Sequence, residues 1–131
     1  MKTRFAFPLV AGSFIGALAV IGGAFGTHAL REVVSPERIV TYQTAMSYML
    51  AHAILLVAMA SIGSQADRRL VGLSAILVFA GICVFSGSLI LLVLLDAPLL
   101  GMVTPVGGVL LIAGWISLGL AGLRNRLAGA D

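Results

Sequence analysis

Leu70 to Leu95 reads LVGLSAILVFAGICVFSGSLILLVLL, 26 residues without a single Lys, Arg, Asp or Glu. As a helix at 1.5 Å per residue this run is roughly 39 Å long, more than the about 30 Å of a bilayer's hydrocarbon core. Such a segment has no polar face to turn toward water. Working outward, the same pattern recurs three times. Phe5–Leu30, Ile39–Ala66 and Ala97–Leu123 are charge-free over 26, 28 and 27 residues. The chain of 131 residues is 60% apolar and only 10% charged, with a mean hydropathy of +1.14. Too few charges remain to cover a soluble domain. The expected architecture is all-α, a single transmembrane domain with spans at about residues 6–28, 39–62, 70–95 and 102–123.

The links between runs are short: Arg31–Arg38, Gly63–Arg69 and Asp96–Gly101. Short links predict antiparallel neighbours and hence an integral membrane four-helix antiparallel bundle. Ser35-Pro36-Glu37 reads as an N-cap, a proline at the first helical position and an acid in the first turn. Thr104-Pro105 reads the same way at the fourth span, while Gly63, Gly101 and Ala97-Pro98 are breakers. Charge placement sets the orientation. Lys2, Arg4, Arg68, Arg69, Arg124 and Arg126 share one side, leaving Arg31 and Arg38 on the other. The positive-inside rule then places both termini in the cytoplasm, N-in and C-in, in a bacterial inner (cytoplasmic) membrane. The pI near 9.8 comes from these helix-end residues rather than from a basic stripe, so no nucleic-acid partner is expected. The first run is too long and too broken by glycines for a cleaved signal peptide, whose apolar region is about 7–15 residues. Cys83, the only cysteine, reads as core filler.

Lipid is as apolar as leucine, so membrane helices associate where small residues admit close backbone approach. Gly12/Gly16 and Gly22/Gly26 are G-x-x-x-G pairs, and Ala19, Gly23 and Thr27 extend that small face. Ala113, Ser117 and Ala121 repeat the spacing in the fourth span. Counted from the outer ends of the spans, Gly22, Gly23, Gly107 and Gly108 lie roughly 8–9 Å deep. Tyr48 lies roughly 13 Å deep and Ser86 to Ser88 roughly 10–14 Å deep. Small and polar residues therefore gather in the outer half, and bulky aliphatics fill the inner half. Either tight packing or a shallow outward cavity follows.

Thr41, Thr44, Tyr48 and His52 fall within about 80° on a helical wheel, a stripe expected to face protein. His52 is ionisable and near mid-membrane, which flags a proton relay or haem ligand. The simpler reading is a neutral imidazole bonded to a serine, threonine or backbone carbonyl of a neighbouring helix, because no charged residue shares its depth. His28, the other histidine, sits near the outer surface, roughly 18 Å from His52 and too far to share one metal. Phe85-Ser86-Gly87-Ser88 resembles a cavity-lining segment of a transporter; hydrogen bonding to helix carbonyls is the simpler reading. The polar cluster expected from these segments is Tyr48, His52, Ser86, Ser88 and Thr44, with Tyr48 approaching one of the serines and glycines 22, 23, 107 and 108 closing the helices around them. No nucleophile–base pair, metal-ligand spacing or phosphate loop is present, so no cofactor and no enzymatic activity are expected.

Four segments together carry a resemblance: Gly23–Leu30 (GAFGTHAL), Thr44–Ala53 (TAMSYMLAHA), Phe85–Leu89 (FSGSL) and Thr104–Trp115 (TPVGGVLLIAGW). In this order and spacing the chain resembles the small four-helix membrane family that includes bacterial YgdD- and YwdK-type proteins and vertebrate transmembrane protein 256. Thr27 departs mildly, since the family usually has a small residue there. The resemblance implies a four-span inner-membrane protein and brings no activity, cofactor or catalytic residue. The expected role is a non-catalytic accessory subunit beside a larger membrane complex, with respiratory complexes among the candidates, and with lipid and other membrane subunits or a second copy as partners. The alternative expectation is a small oligomeric transporter or channel built around an outward cavity near His52.

Overall fold

The structure, a computed structural model, describes residues 6–62 and 66–128. Lys2, Arg4 and Gly63, on which part of the topology reading rests, lie outside the described residues. Every regular element described is helical. Helix α1 (Ala6–Ile21) continues through a π turn (Gly22–Gly26) into the single turn α2 (Thr27–Leu30). Then come α3 (Pro36–Ile62), α4 (Arg68–Leu94), a 3-10 turn (Pro98–Met102) and α5 (Thr104–Ala128). Four helical rods, Ala6–Leu30, Pro36–Ile62, Arg68–Leu94 and Pro98–Ala128, are long and apolar enough to cross a membrane.

The element ends follow from local chemistry. Ser35 Oγ accepts from the Arg38 N–H at 3.4 Å, with Pro36 as the first helical residue of α3. Asp67 caps α4, its carboxylate accepting from Arg69 and Leu70 N–H groups at 2.9 and 3.3 Å. Free N–H groups at a helix start want such an acceptor. Asp96 ends α4 in the left-handed region, φ 49°, and the Ala97 N–H reaches back to the Leu92 carbonyl at 3.1 Å. That is the closing bond of a Schellman turn, with a short polar side chain tolerating the conformation that glycine usually takes. The Asp96 carboxylate then accepts from Arg38 at 2.8 Å, joining the α4–α5 link to the start of α3.

Helix α1 packs on α3, α3 on α4, and α4 on α5, so α3 and α4 are central and the other two flank them. The contacts have a consistent register. On α5, Gly107 meets Phe85, Leu111 meets Gly81 and Gly114 meets Val78 of α4. On α1, Gly12 meets Ala53, Leu56 and Val57 of α3, and in the π turn that follows Gly22 meets Met46 and Tyr42. Leu56, Met59 and Val78 are fully enclosed at the centre. Bulky side chains such as Phe14, Ile76 and Ile112 project outward, 70%, 60% and 61% exposed. Those outer faces are unworkable in water over such an area and are suited to acyl chains.

Candidate functional site

Polar groups in the interior are few, and the helices assign each a partner. Among the described residues no buried side-chain nitrogen or oxygen lacks a hydrogen bond. The centre of interest is His52, 8% exposed on α3. Its Nδ1 lies 2.7 Å from the Tyr48 carbonyl one turn earlier, and Trp115 Nε1 of α5 lies 3.2 Å from its Nε2. An indole N–H only donates. His52 Nε2 must therefore accept with its lone pair, which puts the ring proton on Nδ1, where it donates to the Tyr48 carbonyl. The two contacts together select a neutral imidazole and one tautomer.

Aromatic rings extend this clasp over three helices. Tyr48 stacks on Phe85 of α4 with centroids 4.5 Å apart and on His52 at 5.8 Å. Trp115 meets His52 edge-on at 6.3 Å. Trp115 is 52% exposed, with its apolar body outward and its N–H turned in, the arrangement an amphipathic ring adopts at a lipid-facing surface. Chemically, the clasp leaves His52 no free lone pair. A metal at Nε2, or a proton taken up there, would first have to displace Trp115.

The serines are committed to carbonyls. Ser86 Oγ donates to the Ala45 carbonyl of α3 at 2.9 Å, and Ser74 Oγ donates to the Gly114 carbonyl of α5 at 2.7 Å. Ser88 Oγ donates to its own helix at the Phe85 carbonyl, 3.0 Å, and lies 2.7 Å from Thr104 Oγ1. Thr44 and Thr41 donate back to Val40 and Glu37 carbonyls of their own helix. Of the expected approach of Tyr48 to Ser86 or Ser88, directly or through water, the direct hydrogen bond is not formed. Tyr48 is 44% exposed and stacks on the residue before Ser86 instead of bonding to it. Helix α3 buries the face through Tyr42, Ala45, Met46, Met49, Ala53 and Leu56, which leaves Tyr48 at its edge.

The tyrosine that does close an interface is Tyr42, 6% exposed. Its hydroxyl donates to the Gly22 carbonyl at 3.0 Å, where the π turn begins. A π turn shifts the hydrogen-bond ladder by one residue, and here Gly22 O also receives the Thr27 N–H. A Cβ on Gly26 would overlap the Tyr42 hydroxyl. Sequence reading passed over Tyr42 although it starts an i, i+4 pair with Met46 on the packed face.

The glycines divide sharply. A Cβ at Gly12 would sit 2.7 Å from the Ala53 carbonyl oxygen, and at Gly107 it would run into the Phe85 backbone. At Gly22 it would press on the Met46 sulfur at 2.6 Å, a yielding neighbour. Gly16, Gly23 and Gly108 would meet nothing nearer than 3.7, 3.9 and 3.9 Å. Of the expected pair 107/108 only Gly107 admits a backbone, and of 22/23 the tighter is Gly22. Gly81 and Gly114, against Leu111 and Val78, are close approaches that the sequence reading missed. Between α1 and α3 an open groove of about 240 Å³ is lined by Gly12, Ser13, Gly16, Ala53, Ile54 and Val57. It adjoins the α3 segment that carries His52 but does not include that residue.

Comparison with known proteins agrees with this picture of a small helical membrane protein. A UPF0382 membrane protein of Staphylococcus aureus (strain bovine RF122 / ET3-1) is 38% identical over 113 residues, 86% of this chain and 92% of its own. A UPF0382 membrane protein of Staphylococcus epidermidis (strain ATCC 12228 / FDA PCI 1200) is 35% identical over 116 residues, 88% and 94% of the two chains. YwdK of Bacillus subtilis (strain 168), also a UPF0382 membrane protein, is 33% identical over 121 residues, covering 88% and 95%. No solved structure matches. The model of the DUF423 family, described as proteins of unknown function, matches residues 22–108, from the π turn to the glycine pair of α5, and the chain belongs to that family.

Proposed function

We propose that this protein is a non-catalytic integral membrane component that assembles as an accessory subunit of a larger membrane complex, with a respiratory or other energy-coupling assembly as the candidate class. The observation that carries the reading is the closed state of its interior chemistry. His52, among the described residues the one ionisable side chain buried at mid-span, has both ring nitrogens bonded within the chain. The buried serines are bonded to helix carbonyls. Substrate binding requires convergent polar groups, and these are already engaged. What the molecule offers outward is helix surface.

The descending register of α5 on α4 and of α1 on α3 supports an antiparallel four-helix bundle. With the arginine distribution, it supports both termini on the cytoplasmic side of a bacterial inner membrane. Mild-detergent purification from the native host, followed by cross-linking and mass spectrometry, tests the role. Reproducible stoichiometric recovery with a defined membrane complex is expected. Recovery only as a free monomer or homo-oligomer overturns the reading.

A further inference from the structure

We propose that the end of the molecule where α4 begins and α5 finishes binds the phosphate of an anionic phospholipid. Arg68 and Arg69 occupy the first turn of α4, where the helix dipole is already positive and no acidic residue follows. Arg124 and Arg126 stand in the last turns of α5. These two ends are held together. The Asp67 N–H donates to the Ala121 carbonyl at 3.1 Å, and Ser117 Oγ donates to the Leu70 carbonyl at 3.0 Å. Four arginines, all exposed, are thereby collected on one small platform. Among the described residues the acid within it is Asp67, which is occupied by the α4 cap and by Arg124 at 3.3 Å.

Two arginines at a helix start are electrostatically unfavourable for that helix. Among the described residues one carboxylate stands against four cations at this end, an excess of positive charge that an external anion would balance. A guanidinium fork matches phosphate oxygens bidentately, and these residues lie where a span leaves the hydrocarbon, at headgroup level. The geometry therefore fits a lipid phosphate carrying net negative charge, as in phosphatidylglycerol. Zwitterionic phosphatidylcholine offers the same phosphate with its charge cancelled.

The test uses the full chain, delipidated in neutral detergent, with phosphatidylglycerol or phosphatidylcholine added and retention read by native mass spectrometry. Phosphatidylglycerol is expected to be retained preferentially. At about fivefold for each arginine near the headgroup, Arg68→Gln with Arg126→Gln should weaken it by roughly thirtyfold, with tenfold as the floor. Arg31→Gln, at the far end, should leave retention unchanged. Lys2, Arg4, Arg69 and Arg124 keep the orientation bias in the double variant. Added salt should weaken retention by the unaltered chain, a readout that needs no variant. Equal retention of the two lipids, indifference to salt, an unaffected double variant, or displacement by millimolar inorganic phosphate would each overturn the proposal.

Discussion

The α4–α5 and α1–α3 contacts both depend on glycine, yet they are built to different strengths. Between α4 and α5, Gly81, Gly107 and Gly114 bring the backbones together, and hydroxyls then cross the gap. Ser74 reaches Gly114, Ser117 reaches Leu70, and Ser88 meets Thr104 beside the 3-10 turn. Asp67 adds a backbone bond and an ion pair. Between α1 and α3 the corresponding tie is Tyr42 to the Gly22 carbonyl. Only 11% of the most apolar window of the first rod is buried, against 39% for α4. Burying leucine in lipid gains little, so van der Waals fit and interhelical hydrogen bonds decide which helix is held. Helices α4 and α5, tied by the larger number of interhelical hydrogen bonds, with α3 beside them, are taken as the fixed part, and α1 flanks α3.

The largest test of this contrast substitutes adjacent glycines. Gly107→Leu drives a side chain into the Phe85 backbone, and overpacking of this kind costs about 1–3 kcal/mol and sometimes prevents folding. Gly108→Leu, whose nearest neighbour is the Phe85 ring at 3.9 Å, should leave the transition almost unmoved. Unfolding in detergent can be followed by Trp115, the sole tryptophan. Equal damage from both would break the assignment of the tight approach to Gly107. Gly12→Leu forces α1 away from the Ala53 carbonyl. Because α1 is a flank, protease protection of residues 6–30 should fall while the Trp115 transition stays in place. Collapse of both together would show that α1 belongs to the fixed part.

These glycines also mark where the sequence stops being legible. Charge-free length and helix-end signals located the rods, since a charge in hydrocarbon is expensive at any rotation. Ser35 and Pro36 placed the start of α3 for the same local reason. Rotation is another matter. Gly107 and Gly108 differ by 100° on the wheel at almost one depth, so depth alone cannot say which one faces a neighbour, and Tyr42 and Tyr48 are turned about 120° apart. Depth put Tyr48 beside Ser86 and left open that the ring would stack on Phe85. The His52 tautomer was beyond reach, because it is selected by Trp115, 63 positions away in sequence. The expected partner was a serine, threonine or carbonyl of a neighbouring helix; the ones found are a carbonyl of its own helix and the Trp115 indole.

Smaller effects sharpen the contrast bond by bond. Intramembrane hydrogen bonds average about 0.6 kcal/mol and reach about 1.7. His52→Phe should fall in the upper part of that range, since it leaves the Trp115 N–H unpaired, and should blue-shift Trp115 emission; an unchanged spectrum would dismiss the clasp. Tyr42→Phe and Ser74→Ala should each cost near the average, whereas Tyr48→Phe should cost nothing measurable. A larger loss from Tyr48→Phe than from Tyr42→Phe would reverse the assignment of the interface tyrosine.

The smallest effect concerns pH and isolates the water-exposed end of the α4–α5 contact. The Asp67 carboxyl is held below its ordinary value first by the backbone N–H of Leu70, then by that of Arg69, with the charges of Arg124 and Arg69 adding to both against slight desolvation. A carboxyl with a lowered folded-state pKa contributes stability that is fully present above its unfolded value, about 3.9, and is lost as pH falls through the folded value. Asp67 therefore contributes a constant amount from neutral pH to about 5, and the Trp115 transition should weaken below about 4. Asp67→Asn keeps a capping acceptor and removes the titration, so it should flatten that acid limb. Arg124→Gln removes only one of the weaker contributions and should flatten it less. If Arg124→Gln instead flattened the acid limb as fully as Asp67→Asn, the ion pair and not the helix cap would be the source of the acid response at this end.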